Sequence, residues 1–179
     1  MALTQVQTGM LADLAVTNAK MAAGAARANF GAGAVLQVVS AIYSSRQIFT
    51  GVSSLSYQDT GLAATITPSS ATSKILILVS ACHQSDYRTT VNVGSALGLK
   101  RGSTRIAGAI GDHVGTITNA ENIAPTGSIV LLDSPSTTSP TTYTTLITAV
   151  GGSSTTLNFN GTYSQTGFDA TITLLEIAA

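Results

Sequence analysis

The decapeptide KILILVSACH at 74–83 constrains this chain more than any other segment. It is a nearly unbroken apolar run, entered through the Pro/Ser-rich stretch TPSSATS. A membrane-spanning helix takes about 20 such residues, so the run is too short to cross a bilayer. Its richness in β-formers and its bounding turn residues read as a strand. Successive strand side chains point to opposite faces, and here both alternating sets are apolar. The strand is therefore expected to be buried on both faces, at the centre of a layered β-domain.

The chain beyond residue 33 reads the same way. Strands are expected at 34–43, 56–67, 74–83, 92–99, 104–110, 127–132, 141–150, 155–159, 162–165 and 169–177. A Gly61 break interrupts the second, and Pro68-Ser69-Ser70 turns the chain into the third. Lys100-Arg101-Gly102-Ser103 and Asp133-Ser134-Pro135 mark further turns. Asn160-Gly161 is the strongest short hairpin signal in the sequence. Turns about every 8–12 residues between short strands are the mark of a sandwich or jelly roll. The expected fold is all-β, a jelly-roll-like antiparallel sandwich spanning 34–179. The longest connections, 111–126 and 134–142, fall where recognition residues usually sit.

Residues 1–33 differ from the rest. Apolar residues recur every fifth position at Val6, Leu11, Val16, Met21 and Ala26, which matches neither a helix nor a strand. A short helix can still align Met10, Leu14, Met21 and Ala25 on one face. Extended or short-helical, so little chain cannot bury its apolar side against itself. It is expected to be a leader that anchors to something else, with Val6, Met10, Leu11, Leu14, Val16 and Met21 as the anchoring residues.

Only 9% of the chain is charged and its formal net charge is +0, against about 25% charged residues in an average domain. Ser and Thr, roughly a quarter of the residues, take the polar positions instead. With a mean hydropathy of +0.35, a lone subunit has little charge to keep it from its neighbours. A self-assembling subunit is expected. The eight Lys and Arg include one cluster, Lys100, Arg101 and Arg105, too few for nucleic-acid binding by counterion release. No stretch suggests membrane insertion, and the first ten residues lack the pattern of a secretory signal. Cys82 is the only cysteine, so no internal disulfide forms and synthesis in a reducing cytoplasm is expected.

Candidate chemistry is sparse. Cys82-His83 with Asp86 invites a nucleophile or metal reading, but neighbouring strand residues face opposite ways. The expectation is a buried Cys82 and a His83 at the solvent end of its strand. Asp112-His113 with Glu121 suggests an oxygen/nitrogen metal site, but the chain has only two His and no HxH or HExxH spacing, so a metal would need three copies of His113 or His83 brought together in a symmetric trimer. The eight acids, Asp13, Asp59, Asp86, Asp112, Glu121, Asp133, Asp169 and Glu176, form no evident pair for glycan hydrolysis. No phosphate-loop motif is present. Tyr87 and Tyr163 are candidates for an exposed, sugar-stacking aromatic. No catalytic residue, metal ligand or cofactor site is assigned, and the chain is not expected to be an enzyme.

Two segments resemble a known family. LADLAVTNAKM at 11–21 is similar to one unit of the degenerate hADGAVTxxKh repeat of bacteriophage tail-fibre proteins, with Leu14 where the repeat carries Gly. SYQDTGLAATITPSSATSKILILVS at 56–80 resembles a segment of phage fibre and virion appendage proteins. The resemblance implies a virion structural protein: a homotrimeric short tail fibre or fibre tip, made in the host cytoplasm. Its N-terminus would join other virion proteins of the tail, adaptor or capsid, and its head would meet the host surface, a surface glycan being the candidate ligand. A head fibre or capsid decoration protein is the first alternative, and a glycan-cleaving tailspike the second.

Overall fold

A computed structural model describes residues 31–85, 94–114, 126–151, 155–162 and 168–179. The leader residues Val6, Met10, Leu11, Leu14, Val16 and Met21 lie outside this set, as do Asp86, Tyr87, Glu121 and Tyr163.

Ten strands form among the described residues. They are β1 (Val35–Tyr43), β2 (Gln47–Val52), β3 (Gln58–Ile66), β4 (Lys74–Ser85) and β5 (Gly94–Arg101). These are followed by β6 (Thr104–Val114), β7 (Thr126–Asp133), β8 (Thr141–Val150), β9 (Thr155–Phe159) and β10 (Ala170–Ile177). One sheet holds β1, β10, β4, β9 and β2, with β7 also paired to β4; the other runs β3-β8-β5-β6. Every strand-to-strand pairing is antiparallel.

The connectivity is that of a jelly roll. Setting aside the short β2 and β9, eight strands remain. The first pairs with the eighth (β1–β10) and the second with the seventh (β3–β8). The third pairs with the sixth (β4–β7) and the fourth with the fifth (β5–β6). The β4–β10 and β5–β8 ladders join these pairs into two sheets. This is one long folded ribbon wrapped into a sandwich, the double Greek key expected from the strand spacing.

Alternation places the core between the sheets. Ile75, Ile77 and Val79 of β4, Ile172 and Leu174 of β10 and Ile129 of β7 point inward from one sheet. Leu62, Ile66, Leu97, Leu99, Tyr143 and Ile147 meet them from the other. Burying each large aliphatic side chain is worth roughly 1.5–3 kcal/mol. Tyr143, Thr145 and Ile147 alternate onto one face of β8, and all three are buried. The Tyr143 hydroxyl reaches the rim of the core and donates to Asp133 Oδ2 at 2.7 Å, where Arg101 Nη1 also binds both carboxylate oxygens. Burial first, and then the Asp133 carboxylate, push the phenol above its ordinary range. Tyr143→Phe is expected to lower stability by about 1 kcal/mol, read from urea denaturation, because Asp133 keeps Arg101 as a partner.

Several expectations need correction. No strand is expected between 43 and 56, yet β2 forms there and Gln47–Phe49 pair with β9. Gly61 does not break its strand but sits at φ +77 in a bulge between Asp59 and Ala63. β6 continues through Gly111 to Val114, where a loop was expected. The turn at 100–103 narrows to Gly102-Ser103, since Arg101 pairs with Thr104. Asn160 takes the left-handed backbone, at φ +57, that a tight turn uses. Residues 157–159 of β9 pair with β2 on one edge and β4 on the other, leaving no edge for a further strand. Thr162 is outside any strand, and 163–165 lie outside the described residues.

Candidate interaction surface

The outward face of the larger sheet is built from residues the sandwich leaves uncovered. Register fixes which side chains share it. Val38, Leu175, Leu76 and Leu132 form one row across β1, β10, β4 and β7. Ser40, Thr173, Leu78 and Val130 form the next, then Ile42, Thr171, Ser80 and Ser128. Val35 and Ile177 lie beyond the first row, beside Lys74. Val130 is 71% exposed, Ile42 66%, Val38 58% and Leu132 52%. These are large values for apolar side chains lying in adjoining rows rather than scattered singly.

The face is also dry in its chemistry. Lys74, at one end, is the only charged side chain on it among the described residues. The hydroxyls of Ser40 and Thr173 lie 3.0 Å apart and bond each other, and Ser40 Oγ reaches Ile172 O at 3.3 Å. Covering these hydroxyls would strand few polar atoms. The opposite sheet presents a different surface. It carries the Asp59–Lys100 ion pair at 2.5 Å, the Thr65–Thr142 hydroxyl pair and Arg105 stacked 4.1 Å over the Tyr57 ring. Tyr57 lies against Gly98 and Gly108, where a Cβ would come within 3 Å of its ring atoms or hydroxyl.

The two-sided burial expected of 74–83 is only half met within one subunit. Ile75, Ile77 and Val79 are buried, while Leu78 on the other face is 38% exposed. Both faces are covered only from Ala81 onward. The same two-sided apolarity is legible in VLQVVSAI, SIVLL and ATITLLEI, and it is the signal that marks this surface.

Of the residues singled out for chemistry, Asp86, Tyr87, Glu121 and Tyr163 lie outside the described residues. His83 is not at a solvent end. It is fully buried on the inward face of β4, with Nδ1 2.8 Å from Ser95 Oγ of β5 and Nε2 beside Gly127 of β7. Gathering His83 copies on a symmetry axis would require opening the sandwich. Cys82 is buried as expected, its Sγ 3.8 Å from Gly161 O, and burial pushes the thiol up, away from nucleophilic thiolate. Asp112 and His113 fall on β6, with His113 opposite Ser95. No group of three metal-ligating side chains occurs among the described residues. The 134–140 connection is pinned locally, Ser139 N donating to Thr137 Oγ1 at 3.1 Å and Thr141 Oγ1 to Ser139 O at 3.0 Å. Among the described residues no helix is long and apolar enough to cross a membrane.

No protein-family model and no curated protein matches the chain. Solved structures of infectious bursal disease virus are similar at a distance. The Gt strain gives a TM-score of 0.47 at 12% identity, over 80% of this chain and 38% of that one. The VP2 subviral particle gives 0.42 at 13%, over 80% and 37%. The Gx strain gives 0.40 at 11%, over 79% and 42%. The chain thus spans less than half the length of each, and likenesses this distant say nothing of function or assembly. What the chain's own topology shows is an all-β antiparallel jelly roll.

Proposed function

We propose that this chain is a non-enzymatic structural protein of a bacteriophage virion, a homotrimeric short tail fibre or fibre tip. Residues 1–33 join it to the particle through Val6, Met10, Leu11, Leu14, Val16 and Met21. The jelly-roll head, 34–179, meets the host surface, with a surface glycan as candidate ligand. The observation that carries the reading is the exposed apolar face of the larger sheet, charged only at Lys74 at one end. A surface of that kind suits a subunit of an assembly better than a free monomer. The resemblance of 11–21 and 56–80 to phage fibre segments supports the virion setting.

A capsid decoration protein shares the same requirements and differs only in its place on the particle. Gold-labelled antibody on purified particles separates the two: label at the tail tip supports the fibre, and label over the capsid supports decoration. A tailspike would release new reducing ends from host polysaccharide, and none are expected. Removing residues 2–30 is expected to leave a folded head, by circular dichroism, that no longer joins the particle. Incorporation of the shortened chain would overturn the anchoring role.

A further inference from the structure

We propose that the outward face of β1, β10, β4 and β7 is the surface through which three copies of this chain pack about a common axis. The proposal rests on the homotrimer reading above and adds the contact that makes it.

Geometry favours copies of the same chain. Four strands about 4.8 Å apart make a face roughly 15–19 Å wide. Three such faces set as the sides of a triangular prism leave each sheet about 4–5.5 Å from the axis, close to half the ~10 Å spacing of packed sheets. Val38, Leu175, Leu76, Leu132, Leu78, Val130 and Ile42 fill most of that depth, with Ser and Thr side chains making up the rest of the second and third rows. The face offers no charge pattern for a foreign partner to complement, and its paired Ser40 and Thr173 hydroxyls tolerate a dry contact. With a net charge of +0, the copies have no net repulsion to overcome.

The prism also disposes of two open sheet edges. Among the described residues β1 pairs only with β10, and β7 only with β4, so each has an edge without a described strand partner. At each corner β1 of one copy meets β7 of the next. Three successive antiparallel pairings set these two strands in opposite directions, as an antiparallel contact requires. Because the strands lie along the axis, all three copies start β1 at the same end. There Gly33 N bonds Ala178 O at 2.8 Å, so residue 33 of all three copies lies at that end.

Native mass spectrometry and cysteine cross-linking of the full chain test this. The wild type is expected to be trimeric at micromolar concentration. V130D/L132D is expected to be monomeric with an unchanged circular dichroism spectrum, while T104D, an exposed change on the other sheet, stays trimeric. V38C/L132C treated with a short bismaleimide is expected to yield covalent trimers, since residue 38 of one copy faces residue 132 of the next. A wild-type trimer that survives V130D/L132D and gives no cross-link overturns this face but leaves the homotrimer standing. Covalent products that stop at dimers mean twofold pairing and overturn the threefold arrangement. A monomeric wild type overturns both, whether the thiol introduced by V130C is open to maleimide or shielded by the chain's own leader.

Discussion

Glu176→Ala is expected to destabilise the domain by about 3 kcal/mol, because it strands several donors at once. Glu176 is the one acid on the inward side of β10, and it is fully buried. Its Oε1 accepts from Ser69 N at 2.7 Å and Ser69 Oγ at 2.6 Å; its Oε2 accepts from Gln37 Nε2 at 2.6 Å. The carboxylate thereby fastens the turn before β4 to both β1 and β10. Burial alone would push its acidity toward the neutral form. The bonds from Ser69, Ser73 and Gln37 outweigh burial and hold it below the ordinary carboxyl value of 4.5.

The sign of the pH dependence follows. The unfolded chain takes up a proton at higher pH than the folded one. Glu176 therefore contributes its full stabilisation above the ordinary carboxyl value and loses it as pH falls through the lower folded value. Urea denaturation of the wild type and Glu176→Gln should show a wide gap at neutral pH that closes under acid conditions. A gap that stays constant across this range would mean that the carboxylate charge is not what holds the turn.

Gly127→Val should destabilise by a comparable amount, about 3 kcal/mol, through overpacking rather than lost bonds. A Cβ at Gly127 would stand 2.6 Å from His83 Nε2 and 2.8 Å from Leu97 Cδ1. The imidazole cannot swing aside freely, because it is fully buried and held to Ser95 at 2.8 Å. Thermodynamic coupling provides the check. His83→Ala costs stability on its own by opening a cavity, but in the Gly127→Val background it makes room for the new side chain. The double variant should be less destabilised than the sum of the two singles. Strict additivity would show that the imidazole is not the obstacle.

Neither position announces itself in the sequence. Gly127 reads as an ordinary strand start, and its importance arises only when β7 docks beside β4 and the imidazole is aimed at it. His83 closes an apolar run and is a natural candidate for a wet strand end. It is buried because it takes the inward face of β4, against Ser95 of β5 and Gly127 of β7, the latter more than forty residues away. β2 escaped notice for a similar reason. QIFTGV has no partner nearby in sequence and becomes a strand only against β9. The partners of β9 are equally hidden, since residues 157–159 pair on both edges with strands distant in sequence, β2 and β4.

Sequence alone was enough for what depends on neighbours along the chain. The alternation of β8 and β10, the turn before β4 and the two-sided apolar runs follow from residue order, because side chains of a strand alternate faces whatever surrounds it. Which of two apolar faces is covered, and by what, depends on strands brought together from distant parts of the chain. Only the tertiary structure decided that the single subunit buries Ile75, Ile77 and Val79 and leaves Val38, Val130 and Leu132 in water. Two sheets enclose one core between them, so the second face of a central strand can be covered only from outside the sandwich.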